Sequence, residues 1–246
     1  MSKAVKQQPT KSAKSATPVK LIKRTLVNKD RAISAAIKLA DAEGLSALTM
    51  RKLAGVLGVE AMSLYYHVAN KGAVLDGMVD AVFSEIQLPR SGNGDWKAEI
   101  LLRSASVREV LTRHPWAIGI MESRTAPGPA VLRHHDAVLG CLRGGGLSVA
   151  MTAHAYALID SYVYGFVLQE VNLPFTDGDD LGELLDLMMP LLDADDYPHL
   201  VELTVEHIMK PGYSFGDEFE FGLNLILNGL GEAALAVKGK GSRKHA

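Results

Sequence analysis

Between residues 49 and 71 the sequence concentrates basic, hydroxyl, imidazole and phenol side chains within a short stretch. Hydroxyl, imidazole and ammonium groups hydrogen-bond to phosphate oxygens, and a guanidinium can donate two hydrogen bonds to O6 and N7 of guanine. Small or apolar side chains at the same place can contact the methyl group of thymine. The candidate residues for binding duplex DNA are Thr49, Arg51, Ala61, Met62, Ser63, Tyr65, Tyr66, His67 and Lys71.

The apolar residues around these side chains predict two short helices joined by a tight turn. Thr49 can cap the first helix with its hydroxyl, Gly58 provides the turn, and the second helix covers residues 60–67. This is a helix-turn-helix, whose second helix enters the major groove with its first residues, here 61–63, at the base edges. The side chains predicted to face inward are Leu53, Val56, Leu57, Val59 and Leu64.

Helical periodicity continues along the rest of the chain, and no stretch alternates as a strand would. Asn28 and Asn70 are predicted caps of the helices that flank the helix-turn-helix, and residues 89–95 form a linker. Lys71 therefore lies at a helix N-terminus, which favours a phosphate. The other predicted helices cover residues 28–43, 70–87, 96–113, 116–121, 129–142, 148–170, 181–192, 198–209 and 217–237.

The two ends of the chain carry opposite net charges. Residues 1–74 hold 13 Lys/Arg and 4 Asp/Glu, a balance of +9, whereas residues 75–246 hold 13 and 24, a balance of −11. Such an asymmetry indicates a polyanionic partner for the basic end, nucleic acid first. Residues 1–27 are predicted to be a disordered basic arm that either contacts phosphates or stays a solvated tail, and residues 238–246 a basic tail.

Other classes of protein are disfavoured by what the sequence lacks. Cys141 is the single cysteine, so a disulfide framework within the chain is excluded, and no stretch is apolar for long enough to span a membrane. The basic N-terminus has no apolar segment behind it, so we expect a cytoplasmic protein without a secretion signal. The nucleophile-elbow, P-loop, zinc-protease and dinucleotide-binding motifs are absent, which argues against an enzyme.

The stretch from Thr49 to Lys71 follows the pattern Thr-x-Arg-x-Leu-Ala-x-x-Leu-Gly-Val-x-x-x-x-Leu-Tyr-x-His-Val-x-Asn-Lys. This pattern resembles the DNA-binding signature of TetR-type repressors, and residues 36–45 are similar to the first helix of that family. The resemblance implies DNA contacts at Thr49, Arg51, Ser63, Tyr65, Tyr66, His67 and Lys71. Ala61 and Met62 occupy base-reading positions that vary in the family, so the resemblance implies no operator sequence.

The resemblance implies an all-α fold, in which a three-helix DNA-binding domain joins a larger helical domain for ligand binding and dimerisation. We expect the first domain at residues 28–88 and the second at 95–237. The resemblance also implies a homodimer through the helices at 148–170 and 217–237, although their apolar faces could instead pack within one chain. Two half-sites about 34–36 Å apart would then give the dimer palindromic specificity.

The second domain is predicted to hold a small hydrophobic effector, because pockets are mostly lined by apolar and aromatic side chains. For any single candidate, plain core packing is the alternative. Residues 165–170 and 219–230 resemble the C-terminal domain of the tetracycline-repressor branch of the family. The position that matches that branch's magnesium-binding carboxylate is Gln169, and the matching histidine falls near Ile120, so no magnesium site is expected and no cofactor is implied. The candidate lining residues are Trp116, Met121, His135, Leu139, Tyr156, Ile159, Tyr162, Phe166 and Met188.

These features predict a transcriptional repressor that a small effector releases from a palindromic operator, although the sequence leaves open an effector that strengthens DNA binding. The alternative is a helical small-molecule-binding protein that has lost DNA binding. The presence of Arg51, Tyr65, His67 and Lys71 argues for the regulator.

Overall fold

The computed structural model describes residues 27–92, 94–175 and 178–242, and within them every regular element is helical. The α-helices in these ranges are α1 (Lys29–Glu43), α2 (Met50–Leu57), α3 (Ala61–Leu64), α4 (Lys71–Glu85), α5 (Trp96–Arg113), α6 (Pro129–Gly144), α7 (Val149–Glu170), α8 (Gly178–Met188), α9 (Pro198–Leu203) and α10 (Glu218–Ser242). Short 3-10 turns and one π turn, Thr204–Ile208, connect them. We call α1–α3 the head, α4 the connecting helix and α5–α10 the body.

Side-chain caps fix where these helices begin. At five helix starts a side-chain oxygen accepts a hydrogen bond of 2.8–3.2 Å from the backbone N–H three residues further on. Each such cap typically stabilises its helix by about 1 kcal/mol. The capping residues are Asn28, Thr49, Asn70, Asp95 and Ser148. The caps predicted at Asn28, Thr49 and Asn70 are thereby confirmed.

One hydrophobic core extends from Ala32 in α1 to Leu230 in α10. The connecting helix α4 packs against α1 on one side and against α6 and α5 on the other. Its buried residues, among them Met78 and Phe83, join the core of the head to that of the body. A displacement of α4 therefore moves apolar contacts in both parts at once, because close-packed interiors transmit strain.

Two predictions about the head are corrected. The second helix of the helix-turn-helix ends at Leu64 instead of His67, because the next N–H groups bond three residues back and tighten the chain into a 3-10 turn. Val56, predicted to face inward, is 57% exposed, because it lies to one side of the buried face that Leu53, Ala54 and Leu57 form on α2. Val59 is half-buried at the edge of the core.

The largest differences from the sequence prediction in the body concern four predicted helices. The helix predicted at 116–121 is replaced by two 3-10 turns, Pro115–Ala117 and Met121–Ser123. The helix predicted at 181–192 runs from Gly178 to Met188 and continues as a 3-10 turn at Met189–Leu191. The helix predicted at 198–209 changes at Thr204 into a π turn. The last helix reaches Ser242, because the glycines after residue 237 each cost a helix only about 1 kcal/mol and no proline stops it. The predicted arm, apart from Val27, and residues 243–246 lie outside the described residues.

Candidate nucleic-acid interface

The turn between α2 and α3 depends on Gly58, whose φ of 69° and ψ of 34° are left-handed. A residue with a Cβ atom is strained in this conformation, whereas glycine is not. The Gly58 N–H donates to carbonyl groups near the end of α2, and Val59 N–H donates to the Ala54 carbonyl at 3.0 Å. This closed helix end sends the chain sharply into α3, the recognition helix of the predicted motif.

The inner side of α3 is held by a single fully buried leucine. Leu64 is 0% exposed and belongs to the same core as Leu53 and Leu57 of α2. On the outer side, Met62 is 73% exposed, and Ser63 is exposed as well. A four-residue helix with one buried anchor and an apolar outer tip is suited to enter a groove, since no residue in the described part of the chain covers its exposed face.

The side chains that follow α3 also point into solvent. Tyr66 is 88% exposed and Tyr65 43% exposed, and His67 is exposed beside them. Val68, the next residue, is buried and fixes this turn against the core. The predicted phosphate-binding phenols and imidazole therefore share the outer surface of one short turn, with the backbone behind them anchored.

The remaining predicted DNA contacts lie at the starts of α2 and α4. Thr49 and Arg51 are exposed at the first turn of α2, and Lys52 beside them pairs with Glu43 at the end of α1. Lys71 is the first residue of α4, whose cap Asn70 accepts from Ala73 N–H at 2.9 Å. Of the nine candidates, eight are exposed and only Ala61 is half-buried.

Two carboxylates of α4 tie the connecting helix to the body, and sequence reasoning did not identify them. Asp76 Oδ1 accepts from Arg124 Nε at 2.6 Å. Asp80 Oδ1 accepts from two backbone N–H groups at the start of α6, those of Ala130 at 2.7 Å and Val131 at 3.1 Å. Acidic residues at helical spacing on α4 were the available signal, but their partners lie 48 to 51 residues away in sequence.

The nine residues predicted to line an effector pocket occupy three different surroundings. Met121 and His135 line a cavity of about 200 Å³ that also touches α4, and Tyr156 Oη lies 2.7 Å from His135 Nδ1. Tyr162 and Phe166 instead pack against Phe219 of α10. The other four do not line that cavity: Trp116 and Ile159 are buried, and Leu139 and Met188 are exposed. A single pocket formed from all nine stays a prediction.

A buried polar cluster between α5, α6 and α7 was missed at the sequence level. Arg103 is 0% exposed, donates from Nη1 to Asp160 Oδ1 at 2.7 Å, and donates from Nε to His134 Nε2 at 3.0 Å. Burial, followed by the charge of Arg103, lowers the pKa of His134 to about 3. The signal was Arg103 itself, which interrupts the apolar stripe formed by Ile100 and Val107.

The position expected to correspond to a magnesium ligand does not fit that ion. Gln169 is exposed, and Glu170 beside it accepts from Arg108 Nε at 2.8 Å and from Arg108 Nη2. This hydrogen bonding raises the pKa of Arg108. Among the described residues no group of three His, Cys, Asp or Glu side chains could hold a metal ion, and no helix is long and apolar enough to cross a membrane.

An exposed recognition helix on a helix-turn-helix, joined through one connecting helix to a larger helical body, defines a DNA-binding transcriptional regulator. Comparison with known families agrees. Residues 32–78 match the model of bacterial regulatory proteins of the tetR family, and residues 88–234 match the tetracyclin repressor-like C-terminal domain. The chain therefore belongs to the TetR family of transcriptional regulators, as its sequence pattern predicts.

Similar proteins include an HTH-type transcriptional regulator of Saccharopolyspora erythraea, 39% identical over 60% of this chain and 62% of that protein's length. The HTH-type transcriptional repressor DrrR1 of Streptomyces coeruleorubidus is 33% identical over 82% of this chain and 76% of its own. The crystal structure of the Streptomyces coelicolor TetR family protein ActR in complex with actinorhodin superposes with a TM-score of 0.71. It is 29% identical and covers 85% of this chain and 99% of that chain.

Proposed function

We propose that this chain is a cytoplasmic repressor that binds a palindromic operator as a homodimer and is released from it by a small hydrophobic effector. The observation that carries the proposal is the outward face of α3, where Met62 is 73% exposed while Leu64 is fully buried. Met62 and Ser63 would contact base edges, Arg51 a guanine, and Tyr65, His67 and Lys71 the phosphates. Residues 28–88 would act as the DNA-binding domain and 95–237 as the effector and dimerisation domain.

Exposed faces on α7 and α10 support the dimer. On α7, Leu158 is 47% and Leu168 50% exposed; on α10, Phe221 is 66% and Leu225 59% exposed. Exposed apolar side chains that repeat along two long helices favour burial against a second copy. Such a dimer would present two recognition helices, which can be set at the 34–36 Å spacing of adjacent half-sites.

The proposed effector site is the cavity of about 200 Å³ lined by Met121, His135 and Val131, together with Asp76 and Val79 of α4. Because α4 lines this cavity and also packs against the head, an effector that fits best with α4 displaced would favour a different head position. An effector can shift this equilibrium only by the difference between its affinities for the two states. The solved complex of ActR with actinorhodin supports a small-molecule ligand for a related fold.

The first test is salt-dependent binding to an operator selected by the purified full-length protein from randomised duplexes. Neutralised phosphates release counterions, so affinity should fall steeply as salt rises. Lys71→Ala should weaken binding to every sequence and reduce the salt slope by about 1, whereas Arg51→Ala should also relax the sequence preference. The unlabelled specific duplex should compete better than an unrelated one.

The matched control is Lys210→Ala, which removes the same charge from an exposed site on the body, where Lys210 pairs only with Glu206 among its described contacts. Operator affinity and salt slope should be unchanged in this variant. If Lys71→Ala and Lys210→Ala bind alike, or if no duplex is enriched in the selection, the assignment of this surface to DNA is wrong. A ligand-binding protein without DNA affinity would then be the better description.

A further inference from the structure

At the junction of head and body, one carboxylate oxygen of the head receives two hydrogen bonds from the body. Asp41 Oδ1, near the end of α1, lies 2.8 Å from His114 Nδ1 and accepts from Trp116 Nε1 at 2.7 Å. His114 and Trp116 follow directly on α5 and are both buried. We call Asp41, Glu85, His114 and Trp116 the junction cluster.

The hydrogen bond to Asp41 fixes which nitrogen of His114 carries a proton. A carboxylate only accepts, so Nδ1 must donate, and a neutral His114 then has a lone pair on Nε2. That Nε2 atom lies 3.5 Å from Glu85 Oε1 and is buried without a hydrogen-bond partner. A lone pair facing a carboxylate is unfavourable, whereas a proton on Nε2 would turn this contact into an attraction between Glu85 and an imidazolium.

Further charged groups surround His114. It is the C-cap residue of α5, where the negative end of the helix dipole stabilises positive charge. Glu85 lies on α4 and pairs through Oε2 with Arg113 Nη1 at 3.0 Å, so it is held in place to face His114. The other charged groups that line the same cleft from α1, α4 and α6 include Lys29, Asp30, Lys38, Asp80 and Arg133.

We propose that His114 is a positioning residue, whose imidazolium bridges Asp41 of the head and Glu85 of the connecting helix and thereby holds the head in one orientation on the body. Loss of the Nε2 proton opens the bridge to Glu85 and gives the head more orientational freedom. A head that is already held in one orientation loses less conformational freedom when the dimer binds both half-sites. Operator affinity should therefore rise as His114 is protonated. This inference rests on the proposed function for its effect on DNA.

The first readout needs no DNA. Trp116 donates its indole N–H to the same Asp41 oxygen, so its indole resonance in a ¹H–¹⁵N spectrum reports on the junction cluster. Between pH 8 and pH 5.5 this resonance should move in one step, while the resonance of Trp96, the other tryptophan, stays in place. In His114→Asn the introduced side-chain amide can still donate to Asp41 but does not titrate, and the step should disappear.

The second readout is affinity for the selected operator, measured by fluorescence anisotropy at pH 6 and pH 8. Lowering the pH from 8 to 6 should increase the operator affinity of the wild type about fivefold more than that of His114→Asn. Both proteins retain His67 on the DNA surface, so their difference isolates His114. Glu85→Gln removes the facing charge at a part-exposed site and should also lose this gain, whereas Glu109→Gln, exposed on α5, should keep it.

The outcomes separate this inference from the proposed function. A Trp116 resonance that does not move, or that moves equally in His114→Asn, overturns the bridge. In a second outcome, the Trp116 step is present while operator affinity responds to pH equally in the wild type, His114→Asn and Glu85→Gln. That result overturns the role of the bridge in DNA binding. If no duplex binds at either pH while the Trp116 step is present, the proposed function fails and the bridge stands.

Discussion

The two faces of α3 should respond to mutation in opposite ways. Leu64 is 0% exposed, so Leu64→Ala removes a buried side chain and leaves a cavity, which typically costs about 2–5 kcal/mol. A four-residue helix cannot persist without tertiary support, so the loss should appear as early melting of the head. Met62 is 73% exposed, and Met62→Ala should change the free energy of unfolding by no more than about 0.5 kcal/mol.

The assay pairs urea unfolding, followed by circular dichroism, with operator binding by anisotropy. Leu64→Ala should lose both stability and DNA binding, and Met62→Ala should lose operator affinity alone, by about 1–3 kcal/mol if Met62 contacts a base. A Met62→Ala protein destabilised by more than about 2 kcal/mol would refute the assigned orientation of α3. So would a Leu64→Ala protein as stable as the wild type.

Three further substitutions test other parts of the structure. Gly58→Ala should destabilise by about 1–2 kcal/mol in thermal unfolding because φ is 69°, whereas Gly55→Ala, within α2 and with open space around its Cβ position, should be neutral or stabilising. Gly128→Ala would place a Cβ atom 2.2 Å from the Asp80 carboxyl and should weaken the hydrogen bonds between Asp80 of α4 and the start of α6. Backbone amides at the start of α6 should then exchange with solvent faster, and protection equal to that of the wild type would contradict this prediction. The pKa of His134 is lowered to about 3 in the folded protein, so as the pH falls below about 6.5 this histidine takes up its proton in the unfolded chain first. The free energy of unfolding should therefore drop by about 2 kcal/mol between pH 6.5 and pH 5. His134→Gln, which keeps an acceptor but does not titrate, should lose this dependence in urea titrations at the two pH values.

Local signals in the sequence predicted the head well. Capping residues such as Thr49 and Asn70 act within three positions of themselves, and Gly58 determines its own backbone conformation. The exposure of individual side chains was less predictable. In a helix only two turns long, the position of the neighbouring helices decides which residues face inward. Val56 illustrates this: its type favours burial, but it lies just outside the face of α2 that Leu53, Ala54 and Leu57 bury.

The contacts that couple the head and the connecting helix to the body could not be predicted from the sequence. Asp41 meets His114 across 73 residues, and Asp80 meets the start of α6 across 50. Polar groups far apart in sequence show no periodicity that links them, and each alone is typical of a solvated surface residue. The proposed effector site has the same difficulty, since His135 and Tyr156 adjoin only after α6 and α7 have packed.

The most direct test of the account is a structure of the full-length protein bound to its selected operator. We expect one dimer across the palindrome, with each α3 in the major groove, Met62 and Ser63 in contact with base edges, and Lys71 beside a phosphate. A complex in which α3 lies away from the grooves, or in which Met62 is buried against protein, would contradict it.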